Sequence, residues 1–173
     1  MIIKLDMANA FDRVSHGILI KVLKIMGLDD TFIRWISICI TSPWIAPLVN
    51  GKVASFFKVS RGLCQGCPLS PFLYIIMVDS LSRKLEKERE ILNLLGIRYQ
   101  EGIRSINLVQ FVDDTILTGG SLITIARHFK RTLDRFLSVS RGATHDNKSH
   151  VYSWNISRQK EKKIEEILGF KAV

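Results

Sequence analysis

The stretch NLVQFVDDTILTGG, residues 107–120, decides how this chain is read. Apolar residues climb from Leu108 to Val112, meet the adjacent carboxylates Asp113 and Asp114, and resume at Ile116 and Leu117. The pattern predicts a β-hairpin with Asp113-Asp114 at its tip, because aspartate tolerates the backbone angles of tight turns. Taken as an isolated pair, the two aspartates read first as a feature of that turn. Two carboxylates ~5 Å apart repel by about 3 kcal/mol at an effective dielectric of 20, and something must offset that. A shared proton can do so, and so can Mg²⁺, which takes a few carboxylates and completes its shell with water and phosphate oxygens.

Working outward, IIKL (2–5) is a short apolar run that ends at Asp6 and suits a buried strand. If that strand neighbours the hairpin, Asp6, Asp113 and Asp114 converge on one edge of a sheet. Ser15 is placed to cap a helix over 16–26, with Ile18, Leu19, Val22, Leu23 and Met26 at helical spacing and Gly27 to stop it. A second helix is predicted over 30–40. IAPLVNGKVASFFKV reads as two strands around Asn50-Gly51, the dipeptide best suited to a tight hairpin. Ser70-Pro71 resembles an N-cap and first helical residue, opening a long helix to about 89 with Tyr74, Met77 and Leu81 in the core. Helices over 121–138 and 157–168, with a short strand near 151–154, complete an α+β domain with a mainly antiparallel sheet.

With 173 residues, 47% of them apolar, the chain is long enough to bury a sizeable core as one domain. Its formal net charge is +9. The tail does not account for this, since Arg158, Lys160, Lys162, Lys163 and Lys171 are set against Glu161, Glu165 and Glu166. A basic body favours a polyanionic partner such as nucleic acid. Cys64 and Cys67 form a C-x-x-C pair, read as neither a redox motif, which would open a helix in a thioredoxin-like setting, nor a zinc site, which requires a second ligand pair. The few cysteines and the lack of a secretory leader predict a reducing compartment. The longest apolar run, FLYIIMV (72–78), is too short to cross a membrane.

Three segments occur in order: LDMANAFDRVSH (5–16), RGLCQGCPLSPFLYIIMVDSLSR (61–83) and FVDDTILTGG (111–120). Together they resemble the palm motifs of reverse transcriptases, specifically those of LINE-type, non-LTR retrotransposons. The resemblance runs from residue 2 to about residue 170. It implies a polymerase palm, an antiparallel sheet with a ferredoxin-like core. It implies RNA-directed DNA synthesis, in which deoxynucleoside triphosphates are added to a DNA primer on an RNA template. Two Mg²⁺ ions, replaceable by Mn²⁺, would ligate to Asp6 and Asp113, with Asp114 more peripheral. Phe11 would be the steric gate against a ribose 2′-OH, Gln65 and Gly66 would lie near the nucleotide and template, and Arg61 would meet phosphate. Lys148 would donate a proton to the pyrophosphate.

Other readings of the same residues stay open. Phe11 fits a plain core position, Asp12 a local cap, Gln65 a bond to its own loop, and Lys148 a surface lysine. Arg127, Arg131 and Arg135 fit a solvated helix face. Cys67 stands where relatives carry aspartate, and RGATHDNKS is a loose version of the fourth motif. The resemblance also leads to the expectation that the fingers and thumb lie outside this chain. The alternative function is an inactive remnant that binds nucleic acid through its charge, with affinity falling steeply in salt.

Overall fold

The computed structural model describes residues 1–92, 108–111 and 114–173, with the backbone alone at 89–92. Its centre is a five-stranded sheet of spatial order β6-β7-β1-β8-β9. The strands are β1 (Ile2–Asp6), β6 (Leu108–Phe111), β7 (Asp114–Thr118), β8 (His150–Tyr152) and β9 (Lys171–Ala172). β1 runs antiparallel to both β7 and β8, β6 pairs antiparallel with β7, and β9 runs parallel to β8. The sheet is thus mainly antiparallel.

Alternation along β1 and β7 divides the sheet into two faces. Ile3, Leu5, Thr115 and Leu117 are buried, whereas Lys4, Asp6, Asp114 and Ile116 lie on the partly open side. The buried side faces a core supplied by the helices α1 (His16–Ile25), α2 (Asp30–Thr41), α3 (Leu69–Leu92), α4 (Ile123–Ser140) and α5 (Arg158–Leu168). Leu19 and Leu23 of α1, Leu73 and Leu81 of α3, Phe129 of α4 and Leu168 of α5 are almost fully buried there. Tyr74 and Met77 join them, as their spacing predicts.

Most helix ends follow from single residues. Gly27 takes a φ of +79° just past α1, and Asp29 caps α2 by accepting the Thr31 amide at 2.8 Å. Ser157 caps α5, and Gly169 closes it with a φ of +79°. Two capping expectations fail. Ser15 stands at the N-cap of α1, but its side chain makes no capping bond and its carbonyl serves the Leu19 amide. Ser70 lies inside α3, which begins at Leu69. Its hydroxyl donates to the Cys64 carbonyl at 2.7 Å, tying the preceding loop to the helix.

The 44–58 segment is a hairpin in two pieces. β2 (Trp44–Ile45) pairs with β5 (Phe57–Lys58), and β3 (Leu48–Val49) with β4 (Lys52–Val53) around Asn50-Gly51. Asn50 and Gly51 both take positive φ, as a type I′ turn requires. Between the pieces lies Pro47, which has no N–H for the ladder.

Helices α3 and α4 are joined by a hydrogen bond from the Thr132 hydroxyl to Glu88 at 2.7 Å. Burial pushes the Glu88 carboxyl upward, but the Thr132 and Lys84 hydrogen bonds outweigh it and hold the group below its usual range. A depressed carboxylate stabilises the fold above its unfolded value, and the gain is lost as pH falls through the native one. Thr132→Val is therefore expected to cost about 1 kcal/mol near neutral pH. Denaturant titrations of both proteins should show that gap narrowing as the medium is acidified below the carboxylate range.

Candidate active site

Asp6 is the last residue of β1, and its direct cross-strand partner is Asp114, the first residue of β7. The two carboxylates therefore share one face and one rim of the sheet. Asp114 belongs to the strand and not to a turn, which corrects its placement at the hairpin tip. Asp113 and Val112 lie outside the described residues. Like charges directly opposite each other destabilise a sheet. Lys4, two residues before Asp6 on the same face, offsets part of this through an ion pair with Asp114 at 3.3 Å. Both partners are nearly half exposed, so the pair contributes little by itself.

The residues after Asp6 turn back sharply, with Asn9 at a φ of +48°. This brings Met7, Ala8, Asn9, Ala10, Phe11 and Asp12 round one side of a cleft of about 430 Å³. Asp6, Gln65, His145 and Lys148 complete its lining. Four of the residues singled out in the sequence, Asp6, Phe11, Gln65 and Lys148, thus meet in one cavity from three separate segments. Phe11 does two things: its ring stacks on Tyr74 with centroids 5.1 Å apart, and it lines the cleft. Gln65 donates to Asp12 Oδ1 at 3.2 Å, so Asp12 orients Gln65 and does not cap a helix.

Arg61 is not in this cleft. It lines an adjoining cavity of about 480 Å³, to which Asp12 and Gln65 also contribute. Gly66 occupies an exposed turn next to Gln65, with a φ of +83°. Arg127, Arg131 and Arg135 are exposed on α4, as a solvated face predicts.

The 61–63 and 11–14 segments are tied by backbone bonds from Gly62 N to Val14 O at 2.8 Å and from Leu63 N to Phe11 O at 2.9 Å. His16 Nε2 lies 2.6 Å from the Gly62 carbonyl. Gly62 has a φ of +89°, and a Cβ there would stand 3.0 Å from the Asp12 carbonyl oxygen. Backbone cannot yield as a flexible side chain does. Gly62→Ala is expected to destabilise the domain by roughly 1–3 kcal/mol, read as a lower denaturation midpoint.

One part of the site has no counterpart among the residues named from the sequence. The Asp6 amide donates to the buried Ser149 hydroxyl at 3.1 Å, and that hydroxyl donates to the His145 carbonyl at 3.1 Å. The His145 amide in turn donates to the Asp6 carbonyl at 2.8 Å. Residues 145–149 thus brace both backbone groups of Asp6 and present Lys148 beside it. The visible signal was only the Lys148-Ser149 pair.

Among the described residues no group of three His, Cys, Asp or Glu side chains could hold a metal ion. Asp6 and Asp114 supply two carboxylates on one rim, a donor set that suits a hard divalent cation, and Lys4 pairs with Asp114.

A family model described as reverse transcriptase (RNA-dependent DNA polymerase) matches residues 1–172. The chain belongs to the reverse transcriptase family. Its relatives place it with the non-LTR retrotransposon type. It is 33% identical over 88 residues to the Pol polyprotein of the type-1 retrotransposable element R2 of Popillia japonica, covering 51% of this chain. It is 29% identical over 138 residues to the Pol polyprotein of element R2DM of Drosophila melanogaster, covering 80%. The chain spans 14% and 12% of those two relatives. Among solved structures, telomerase from Candida albicans, in complex with the TWJ fragment of telomeric RNA, matches with a TM-score of 0.67. That match covers 91% of this chain and 27% of the telomerase, at 15% identity. Telomerase from Candida tropicalis matches with a TM-score of 0.62 over 86% of this chain and 25% of that one. At such identity these two neighbours speak for the fold, and they agree with the palm architecture.

Proposed function

We propose that this domain is the palm of an RNA-directed DNA polymerase, joining deoxynucleotides to a DNA primer 3′-OH on an RNA template. The observation that carries the reading is the direct pairing of Asp114 with Asp6, which itself lines the cleft that holds Phe11, Gln65 and Lys148. Asp6 and Asp113 would hold two Mg²⁺ ions, or Mn²⁺ in their place. When bound, the ions activate the attacking hydroxyl and stabilise the leaving pyrophosphate. Asp114, ion-paired to Lys4, stays peripheral and sets the charge of the rim.

The chain's own residues do the positioning. Phe11, held from behind by Tyr74, presents a fixed ring at the cleft wall, where an added 2′-OH on the sugar would collide. Gln65, oriented by Asp12, offers an amide towards the incoming nucleotide and template, and Gly66 lets the backbone approach closely. Arg61, in the adjoining cavity, is available to phosphate. Lys148 reaches the same cleft as Asp6 and is the proton donor for the pyrophosphate.

Primer extension on an RNA template with Mg²⁺ or Mn²⁺, run beside Asp113→Ala, tests this reading. Incorporation by the parent and loss in the variant is the expected result, and equal incorporation by both overturns it. The net charge of +9 favours a second reading, a module that binds nucleic acid without chemistry. That module would keep its salt-sensitive affinity after loss of the aspartates.

A further inference from the structure

All three cysteines of the chain, Cys39, Cys64 and Cys67, are free thiols and line one cavity, the one of about 480 Å³ beside the cleft. Two of them are brought near each other by a backbone turn, and the Cys64 thiol lies 3.6 Å from the Gln65 carbonyl, to which it donates. The Cys67 amide donates to the Cys64 carbonyl at 3.3 Å, closing a four-residue turn, and Gly66 at its third position has a φ of +83°. These are the marks of a type II β-turn, whose end Cα atoms lie within about 7 Å. Disulfides span Cα separations of about 4.4–6.8 Å. Cys39 comes from a separate element, α2, and shares no such turn with them.

We infer that Cys64 and Cys67 form a reversible thiol–disulfide site, oxidised by a small disulfide such as glutathione disulfide. Cys64 is the exposed thiol and Cys67 the half-buried one, which sets the order of events. The Cys64 thiolate attacks one sulfur of glutathione disulfide and releases the first glutathione thiolate. The Cys67 thiolate then attacks Cys64 Sγ, forms the intrachain bond and displaces the second. Each cysteine gives up one proton and each glutathione takes one, so two protein thiols and one glutathione disulfide yield one protein disulfide and two glutathiones. Oxidation encloses Gln65 and Gly66 in a covalent ring and fixes the turn. Ser70 already anchors the Cys64 end of that turn through its hydroxyl.

The test does not use polymerase activity, so it can fail or succeed independently of the function proposed above. The whole chain is equilibrated with glutathione disulfide, quenched with acid, alkylated and mapped by peptide mass. The expected result is a Cys64–Cys67 bond inside one chain, with the exposed Cys39 outside it, either free or carrying glutathione. Cys67→Ser should stop at the first step and accumulate glutathione on Cys64, while Cys39→Ser should leave the bond unaffected. Three alkylated thiols, a bond that includes Cys39, or bonds only between chains would each overturn the assignment. Mapping of the unsubstituted chain decides the matter even if Cys67→Ser does not fold.

Discussion

Asp6→Asn is expected to abolish metal-dependent nucleotide incorporation while leaving the fold as stable as before, or more so. Asparagine keeps the shape of the side chain and removes its charge. A bound cation contributes several kcal/mol to the stabilisation of developing charge, and each 1.36 kcal/mol is tenfold in rate. The loss should therefore be roughly 10²–10⁴-fold in primer extension. Stability should move the other way. Asp6 faces Asp114 directly, so removing one charge relieves a cross-strand repulsion worth up to about 1 kcal/mol. The backbone braces from Ser149 and His145 do not involve the carboxylate and remain. Thermal denaturation and primer extension on the same preparation would separate the two effects. A variant that extends primers as well as the parent, or one that melts far below it, would show that Asp6 serves the fold and not the chemistry.

Phe129→Ala should be the most damaging change to the fold. Phe129 is 1% exposed and packs against the backbone at the end of β7. The approach is so close that a Cβ on Gly119 would stand 2.8 Å from the ring's Cε2. Removing the ring leaves a cavity between helix and sheet that neither can collapse to fill. Such truncations cost about 3–5 kcal/mol. For a domain of this size that corresponds to a drop in Tm of roughly 10 °C. Calorimetry would check it, and a drop of only a degree or two would mean that α4 is not clamped to the sheet in this way.

These two residues differ in how visible they were in the sequence. Asp6 and the double aspartate announced themselves because charges that end apolar strands need a reason. Gly27 and Asn50-Gly51 were equally legible, since one or two residues decide a helix stop or a tight turn. Other features depend on distant partners. β9 is two residues long, carries no alternation, and exists because β8 offers it an edge. The start of α3 was misplaced because Ser70 turns its hydroxyl back to Cys64. Ser149 gave little sign of its part, because a buried serine that holds a backbone amide looks like any other serine in a list. The split hairpin at 44–58 could be traced to Pro47 only once its partner strands were in place.

The pairing of β1 also bears on how the polypeptide reaches this state during synthesis. β1 leaves the ribosome well before either of its neighbours, β7 and β8, which belong to the later part of the chain. Until they appear, an apolar strand ending in the key carboxylate has nothing beside it. Contacts of such long sequence separation slow folding and expose strand edges to association. Expression at lower temperature, with chaperones that hold unpaired strands, should therefore improve the soluble yield of this domain more than changes to its surface.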